Sequence, residues 1–193
     1  MKAADQIYTY FLVEGHRFVG QNWVEMNFAI SHAFALLYQE TGKKEYLEAA
    51  EYIVCQEWKM EYDDFFSKSV ITCDWLDAAL AGTPFYKTNQ RRWEAQHTIQ
   101  TLAPLYEITG KEEYYRAYEA LWKSIVDYDR HNFGGFGTGE GAAGKPFTEG
   151  SETCNTVAWM AWSTDYLKLS RNPIAADELE LSYFNAAWGS LIG

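Results

Sequence analysis

The chain is predicted to be all-α, an array of helical hairpins, and three observations support this. Apolar residues recur with helical spacing in two long stretches, a twelve-residue segment is repeated, and no run of four or more residues alternates with β-branched enrichment. With 193 residues, 48% of them hydrophobic, the chain suffices for one domain with its own core or a large part of a bigger one.

The stretches 22–40 and 91–109 carry the helical periodicity. Apolar side chains stand at i, i+3, i+4 and i+7 in each: Ile30, Ala33, Phe34 and Leu37 in the first, and Ile99, Leu102, Ala103 and Tyr106 in the second. Because this spacing aligns side chains on one face of a helix, each stretch is expected to turn that face toward the core.

A repeat defines the hairpins. Segments 38–49 and 106–117 share the pattern Tyr-x-x-Thr-Gly-Lys-x-Glu-Tyr-x-x-Ala. Gly42 and Gly110 can adopt the left-handed conformation that ends a helix, and the residues after them begin the next helix almost at once. A weaker third copy spans 166–173, where Pro173 suits a first helical turn. The sequence therefore predicts about three tight helical hairpins.

The short turns lie at one end of this array, and the long connections 59–90 and 130–150 lie at the other. This asymmetry is typical of solenoids and α/α toroids, and long loops gathered at one end usually carry the functional site. A closed toroid of six hairpins needs roughly twice this chain length. We therefore expect residues 1–193 to form about half of an (α/α)6 toroid.

Charge and cysteine content exclude several classes of protein. The 16 basic and 27 acidic residues give a net charge of −11, which disfavours nucleic acid or an anionic membrane as the main partner. No apolar run approaches the ~20 residues of a membrane span. No secretory signal is visible, so a cytoplasmic protein is expected unless the N-terminus is truncated. Cys55, Cys73 and Cys154 fit a reducing compartment, or a metal or catalytic thiol, better than a disulfide framework.

Aromatic residues make up 17% of the sequence. Two interpretations stay open from composition alone: an aromatic core in a helical protein, or a site whose aromatic planes stack on sugar rings.

A glycine-rich segment, 134–144, presents one carboxyl group, Glu140. Its phosphate-loop patterns are rejected, because they do not follow a strand and Pro146 stands where a Ser or Thr would hold magnesium. Partial desolvation beside Phe133 and Phe136 would raise the pKa of the Glu140 carboxyl and make it a candidate general acid. The alternative is an exposed surface glutamate.

Glu152 and Cys154 stand two apart at the entrance of the third hairpin. In an extended lead-in both side chains lie on one side of the chain, and a carboxylate and a thiolate are ligands that zinc accepts. The alternative is a small buried cysteine beside a capping segment in which Ser151 or Thr153 caps the helix.

Two histidines complete the candidate site. His32 and His97 are expected on the helix sides opposite the apolar stripes, which in a toroid line the central cavity. The alternative for each is a solvent-facing or locally hydrogen-bonded histidine. The Glu94-x-x-His97 spacing also occurs in di-iron bundles, but those need two such motifs and this sequence has one.

Taken together, these motifs resemble the β-L-arabinofuranosidases of glycoside hydrolase family 127 and their relatives. The likeness covers about residues 22–193 and rests on five motifs in order and on the closing segment 177–186: Arg92-Trp-Glu-Ala-Gln-His97, Tyr106-x-x-Thr-Gly110, Asp129-Arg-His-Asn-x-Gly-Gly135, Thr138-Gly-Glu140 and Glu152-Thr-Cys154. The resemblance implies a partial (α/α)6 catalytic domain, with the remaining hairpins and any β-sandwich domain outside this chain.

The resemblance also implies retaining hydrolysis of a carbohydrate by a zinc-bound cysteine thiolate. Glu140 would be the general acid/base, Glu152 and Cys154 zinc ligands, and His32 and His97 residues that bind sugar hydroxyls. The family's nucleophile lies beyond residue 193, and neither Cys55 nor Cys73 matches it. The chain alone is therefore expected to hold an incomplete zinc site and to be inactive.

Two other classes stay open. One is another α/α-toroid enzyme that works without zinc, such as an unsaturated uronyl hydrolase or a sugar epimerase. The other is a non-catalytic scaffold that binds a glycan in an aromatic groove. Half a toroid also exposes an apolar edge, so self-association through that edge is a further hypothesis.

Overall fold

A computed structural model describes residues 1–20, 24–64, 68–88, 92–137 and 152–191. The α-helices within these ranges are α1 (Lys2–Tyr8), α2 (Val24–Phe28), α3 (Ile30–Thr41), α4 (Lys44–Cys55), α5 (Trp75–Leu80), α6 (Arg92–Ile99), α7 (Leu102–Thr109), α8 (Glu112–Ser124), α9 (Thr153–Ser170) and α10 (Pro173–Leu181). Strands β1 (Tyr62–Asp63) and β2 (Val70–Ile71) form a short antiparallel pair. The predicted all-α class is confirmed.

Three helical hairpins form the body of the fold: α3 with α4, α7 with α8, and α9 with α10. The first helices of these hairpins neighbour one another, since α3 packs on α6 and α7, and α9 packs on the same pair. The second helix of each hairpin covers the first. The result is the two-layered arrangement of a helical toroid, with one row of helices inside and one outside.

The turns of the hairpins adopt the predicted left-handed conformation. Gly42 has φ 67° and Gly110 has φ 66°, and the amide of each donates to the carbonyl of the tyrosine four residues earlier. In the third hairpin Arg171 takes this position with φ 52°, and Asn172 caps α10 before Pro173. The weaker third copy is therefore a real hairpin, closed by a residue that is less suited to the left-handed region than glycine.

A recurrent contact, here called the tyrosine clasp, joins successive hairpins. Its members are a tyrosine, in two cases a neighbouring lysine, and a carboxylate on the preceding outer helix. Tyr46 and Lys43 hold Asp5, Tyr114 and Lys111 hold Glu51, and Tyr166 holds Glu119. The repeated sequence motif thus specifies both the turn within a hairpin and the register between hairpins.

The predicted helix over 91–109 is broken into α6 and α7 at Gln100 and Thr101. Pro104 explains the break, because it has no amide proton to give to the Gln100 carbonyl four residues earlier. The Gln100 carbonyl instead accepts from the Ala103 amide at 3.2 Å.

The buried face of α3 differs from the predicted stripe. Phe34 is buried as expected, but Ala33 is exposed, and the small side chains of Ser31 and Ala35 face the core instead. The Ser31 hydroxyl lies 2.6 Å from the Thr101 hydroxyl, so a hydrogen bond joins the buried face of α3 to the residue that precedes α7. The stripe on α6 and α7 is confirmed for Ile99, Leu102 and Ala103.

Many of the large aromatic side chains are buried in the core. Fully buried examples include Trp58, Trp75, Trp122, Trp159 and Trp162. Trp122 stacks on Trp159 with ring centroids 5.3 Å apart. The aromatic-core interpretation is therefore right for this group.

The connection from α4 to α6 contains the β1–β2 pair and α5, and α5 packs against α8. The sequence patterns did not indicate α5. None of the helices in the described ranges is both long and apolar enough to cross a bilayer.

Candidate functional site

The Glu152–Cys154 pair lies at the start of α9. Glu152 is extended, with φ −101° and ψ 101°, as expected for a lead-in to the helix. Its side chain caps α9 by accepting a hydrogen bond from the Cys154 amide at 3.4 Å, so the cap is Glu152 rather than Thr153. Ser151 lies outside the described residues. Cys154 is exposed, which contradicts the alternative of a small buried cysteine.

Electrostatics at this pair keep the thiol protonated in the metal-free chain. Partial burial and the hydrogen bond from the thiol to the Glu152 carboxylate raise the pKa of Cys154 to about 12. The charge of Glu94, from α6, acts in the same direction. A positive charge at this position would therefore be needed to stabilise the thiolate.

The donor set fits part of a zinc site. A carboxylate and a thiol lie together at an exposed helix start, and thiolate and carboxylate are both common zinc ligands. Across the described residues, however, no group of three or more His, Cys, Asp or Glu side chains is arranged to hold a metal ion. Glu152 and Cys154 thus supply at most two donors of a four-coordinate site.

Cys55 and Cys73 lie elsewhere in the fold. The Cys55 sulfur is 3.4 Å from the Tyr114 hydroxyl, and the buried Cys73 sulfur is 3.3 Å from the Tyr62 hydroxyl. All three cysteines are free thiols. Since these two belong to packing contacts, they do not complete the pair at Cys154.

His97 is held by a chain of hydrogen bonds across two helices. Its Nδ1 lies 2.9 Å from the Gln100 side-chain oxygen, and the Gln100 amide nitrogen donates to Asp165 of α9 at 3.2 Å. The Trp93 and His97 rings are nearly perpendicular, with centroids 4.9 Å apart. His97 is therefore a locally hydrogen-bonded histidine with a fixed ring orientation, beside a partly buried tryptophan.

His32 lies close enough to His97 and Asp165 to interact with both charges. Burial is the main effect and lowers the pKa of His32, Asp165 opposes this shift, and His97 adds to it. His32 is thus favoured as a neutral ring at neutral pH. The two predicted histidines therefore lie near each other, on the neighbouring helices α3 and α6, and their binding of sugar stays a prediction.

Helix α6 connects the histidine group with the acid–thiol pair, because it carries His97 and packs against α9. Glu94 and His97 are three residues apart on α6 and so occupy neighbouring positions on its surface. Because the Glu94 charge acts on Cys154, this part of α6 runs from the thiol toward the histidines.

Glu140 lies outside the described residues, but both flanks of its loop are anchored. The Glu152 amide donates to the Phe136 carbonyl at 2.8 Å, and the Gly134 carbonyl accepts from the Ser182 hydroxyl at 2.9 Å. Gly134 has φ 84°, and a Cβ there would meet the Ser182 backbone at 2.7 Å. Glycine at position 134 is thus required by close approach to the segment after α10.

The motif before this loop also anchors it. The guanidinium of Arg130 forms an ion pair with the carboxylate of Glu178, on α10, and both side chains are mostly buried. Arg130 of the Asp129–Gly135 motif therefore holds the segment before the loop against α10.

Two site residues were not indicated by the sequence, Gln100 and Asp165, and Glu94 was marked only by the Glu94-x-x-His97 spacing of di-iron bundles. Gln100 follows His97 by three positions, and this spacing is only a weak indication that the two side chains touch. Asp165 is 65 residues from Gln100, and no pattern in the sequence marks that contact.

Comparison with protein families identifies the class. The family model described as β-L-arabinofuranosidase, GH127 catalytic domain, matches residues 1–191. With its helical toroid architecture, the chain is thus of the glycoside hydrolase class. Within that class it belongs to glycoside hydrolase family 127. A comparison with curated proteins found no match.

Solved structures share the fold. A family 127 β-L-arabinofuranosidase from Geobacillus stearothermophilus T6 is 21% identical with a TM-score of 0.60, covering 82% of this chain and 28% of its own. A second family 127 β-arabinofuranosidase is 22% identical with a TM-score of 0.62, at 81% and 24% coverage. A structure described as a glycoside hydrolase is 17% identical with a TM-score of 0.70, at 96% and 32% coverage. The chain spans less than a third of each.

Proposed function

We propose that this chain forms part of the active site of a retaining β-L-arabinofuranosidase. The observation that carries the proposal is the Glu152–Cys154 pair, held together at the start of α9 beside the α6 surface that bears His97. Family membership supports a glycosidase and a carbohydrate substrate. The arabinofuranoside is the substrate named for two of the similar structures.

In this proposal Glu140 is the general acid and base. It donates a proton to the leaving oxygen while a thiolate forms a bond to the anomeric carbon, and its carboxylate then takes a proton from the water that cleaves that bond. The hydrogen bond from the Glu152 amide to the Phe136 carbonyl supports this role, because it holds the residues on either side of the loop together at the start of α9. His32 and His97 bind sugar hydroxyls.

Glu152 and Cys154 would hold zinc. When bound, zinc supplies the positive charge that keeps cysteine deprotonated at neutral pH. The sequence contains three cysteines, and the other two lie in separate packing contacts. The resemblance to family 127 places the nucleophile and the remaining zinc ligands outside these 193 residues. Action in the cytoplasm is an accompanying prediction.

A first experiment tests the location of the nucleophile. The purified 193-residue chain is expected to release no nitrophenol from an aryl β-L-arabinofuranoside, whereas the longer protein that contains it is expected to hydrolyse this substrate with bound stoichiometric zinc. Robust turnover by the 193-residue chain would show that the nucleophile is assigned wrongly. An active longer protein free of zinc would favour a toroid enzyme that uses acidic or histidine catalysts instead.

We also propose that the chain self-associates through the edge formed after α10. Large apolar side chains are exposed there: Tyr183 at 42%, Phe184 at 60%, Trp188 at 52% and Leu191 at 75%. The expected partner is a second copy of this chain, and light scattering is expected to show a mass that rises with concentration. A monomer throughout the concentration range would contradict this part of the proposal.

A further inference from the structure

The hydrogen bonds around His97 determine which of its nitrogens carries the proton. Asp165 is partly buried, and its second oxygen lies 3.4 Å from the Lys168 ammonium. An ionised carboxylate can only accept hydrogen bonds. The Gln100 side-chain amide must therefore turn its NH2 group toward Asp165, as the 3.2 Å contact shows.

With its NH2 group directed at Asp165, Gln100 presents its carbonyl oxygen to His97. This oxygen lies 2.9 Å from Nδ1 and can only accept. Nδ1 must then carry a proton, so the other nitrogen, Nε2, is unprotonated whenever the ring is neutral. Gln100 is 3% exposed, which leaves water little room to replace either bond.

We propose that Gln100 and Asp165 are positioning residues that fix His97 as its Nδ1–H tautomer, so that Nε2 accepts a hydrogen bond from a sugar hydroxyl. The sugar as donor rests on the proposed function, whereas the tautomer does not. The Trp93 ring, at 86° to the imidazole plane, adds a second restraint on the histidine ring. Nε2 of a neutral ring can accept a hydrogen bond from a hydroxyl group. It forms no comparable bond with an ionised carboxylate, which has no proton to donate.

The tautomer is tested directly by ¹⁵N NMR of the 193-residue chain labelled with ¹⁵N-histidine. The spectra are recorded at a pH where the histidine rings are neutral. The His97 ring, assigned by its loss in His97→Asn, is expected to show a protonated Nδ1 and an unprotonated Nε2. Gln100→Met keeps the side-chain length and removes both hydrogen bonds, so its His97 is expected to shift toward the Nε2–H form that free histidine prefers. Gln39→Met is the matched control, because Gln39 makes a similar bond to Glu107 at the surface.

A second variant, Asp165→Asn, tests the same proposal if Gln100→Met does not fold. Asp165→Asn allows the Gln100 amide to turn around, since an asparagine can donate as well as accept. Its His97 is expected to show a mixture of the two tautomers. A wild-type ring in the Nε2–H form, or a tautomer unchanged in both variants, would overturn the proposal.

The contact between a sugar hydroxyl and Nε2 of His97 is tested in a separate experiment. Methyl β-L-arabinofuranoside is expected to move the Nε2 resonance of His97 more than its Nδ1 resonance in the wild-type chain. The tautomer is measured without sugar, so an Nε2–H ring would defeat this inference and leave the proposed function standing. The expected tautomer with no response of Nε2 to the furanoside would instead defeat the sugar contact.

Discussion

At the scale of single residues, the site combines an exposed thiol with a carboxylate that suppresses its ionisation. Desolvation and the hydrogen bond to Glu152 raise the pKa of Cys154 to about 12, against about 8.5 for a free cysteine. The metal-free chain should therefore react slowly with alkylating reagents at neutral pH, even though Cys154 is exposed. Such behaviour is expected of a metal ligand that is not itself an activated nucleophile.

The first prediction concerns the reactivity of this thiol. Glu152→Gln keeps an oxygen to cap α9 but removes the negative charge, so the pKa of Cys154 should fall and the thiolate fraction should rise. Each unit of decrease gives about a tenfold gain in thiolate and, after the loss of intrinsic nucleophilicity, about a threefold gain in rate. Mass spectrometry of iodoacetamide labelling in chelator-treated protein measures this rate at Cys154.

The control for this prediction is Glu113→Gln, at an exposed position on α8. It should leave the labelling rate of Cys154 unchanged. Rapid labelling of the wild-type thiol at pH 7, together with no acceleration in Glu152→Gln, would mean that the carboxylate does not control the thiol.

At the scale of secondary-structure elements, the turns of the hairpins decide how well each hairpin closes. A non-glycine residue in the left-handed region costs about 1–2 kcal/mol, whereas glycine costs about 0.5–1 kcal/mol of additional chain entropy on folding. Arg171 bears the first cost, and Gly42 and Gly110 avoid it. The third hairpin is therefore closed less favourably than the other two.

A pair of reciprocal substitutions tests whether the turn at Arg171 is less favourable than the turns at glycine. Arg171→Gly should raise the free energy of unfolding by up to about 1 kcal/mol, and Gly110→Ala should lower it by about 1 kcal/mol. A Cβ at Gly110 meets no atom within 4 Å, so the loss would come from backbone conformation alone. Gly189→Ala is the control, since that glycine also has open space but lacks a positive φ. Urea unfolding gives all three values, and a destabilised Arg171→Gly would contradict the account.

At the scale of the whole molecule, the sequence predicted the features that local chemistry controls. Thr-Gly followed by Lys-x-Glu-Tyr indicated the hairpin turns, because glycine in the left-handed region is a local requirement. The side of α3 that faces the core was predicted less well, because the Ser31–Thr101 hydrogen bond joins residues 70 apart in the chain. The Gln100–Asp165 contact was missed for the same reason. Such contacts depend on how helices are placed against one another, which periodicity within one helix does not encode.

The positions of the candidate site residues follow the same rule: groupings that depend on nearby residues were predicted. Glu152 and Cys154 are neighbours in the chain and lie together as expected, and His32 and His97 are grouped because both occupy inner helices. The role of Glu140 stays a prediction, since that residue lies outside the described ranges. The proposed function depends on this role, because it requires that the Glu140 carboxyl and the Glu152–Cys154 pair belong to one active site that cleaves a sugar.

The most direct test of that claim is the hydrolysis of an aryl β-L-arabinofuranoside by the longer protein that contains this chain, compared with its Glu140→Gln variant. Loss of a general acid typically costs about 10²- to 10⁴-fold in rate, so kcat should fall by that range while circular dichroism stays unchanged. Glu149→Gln, in the same stretch of sequence, should keep wild-type kcat. Full activity in Glu140→Gln would remove Glu140 from the reaction and contradict the account.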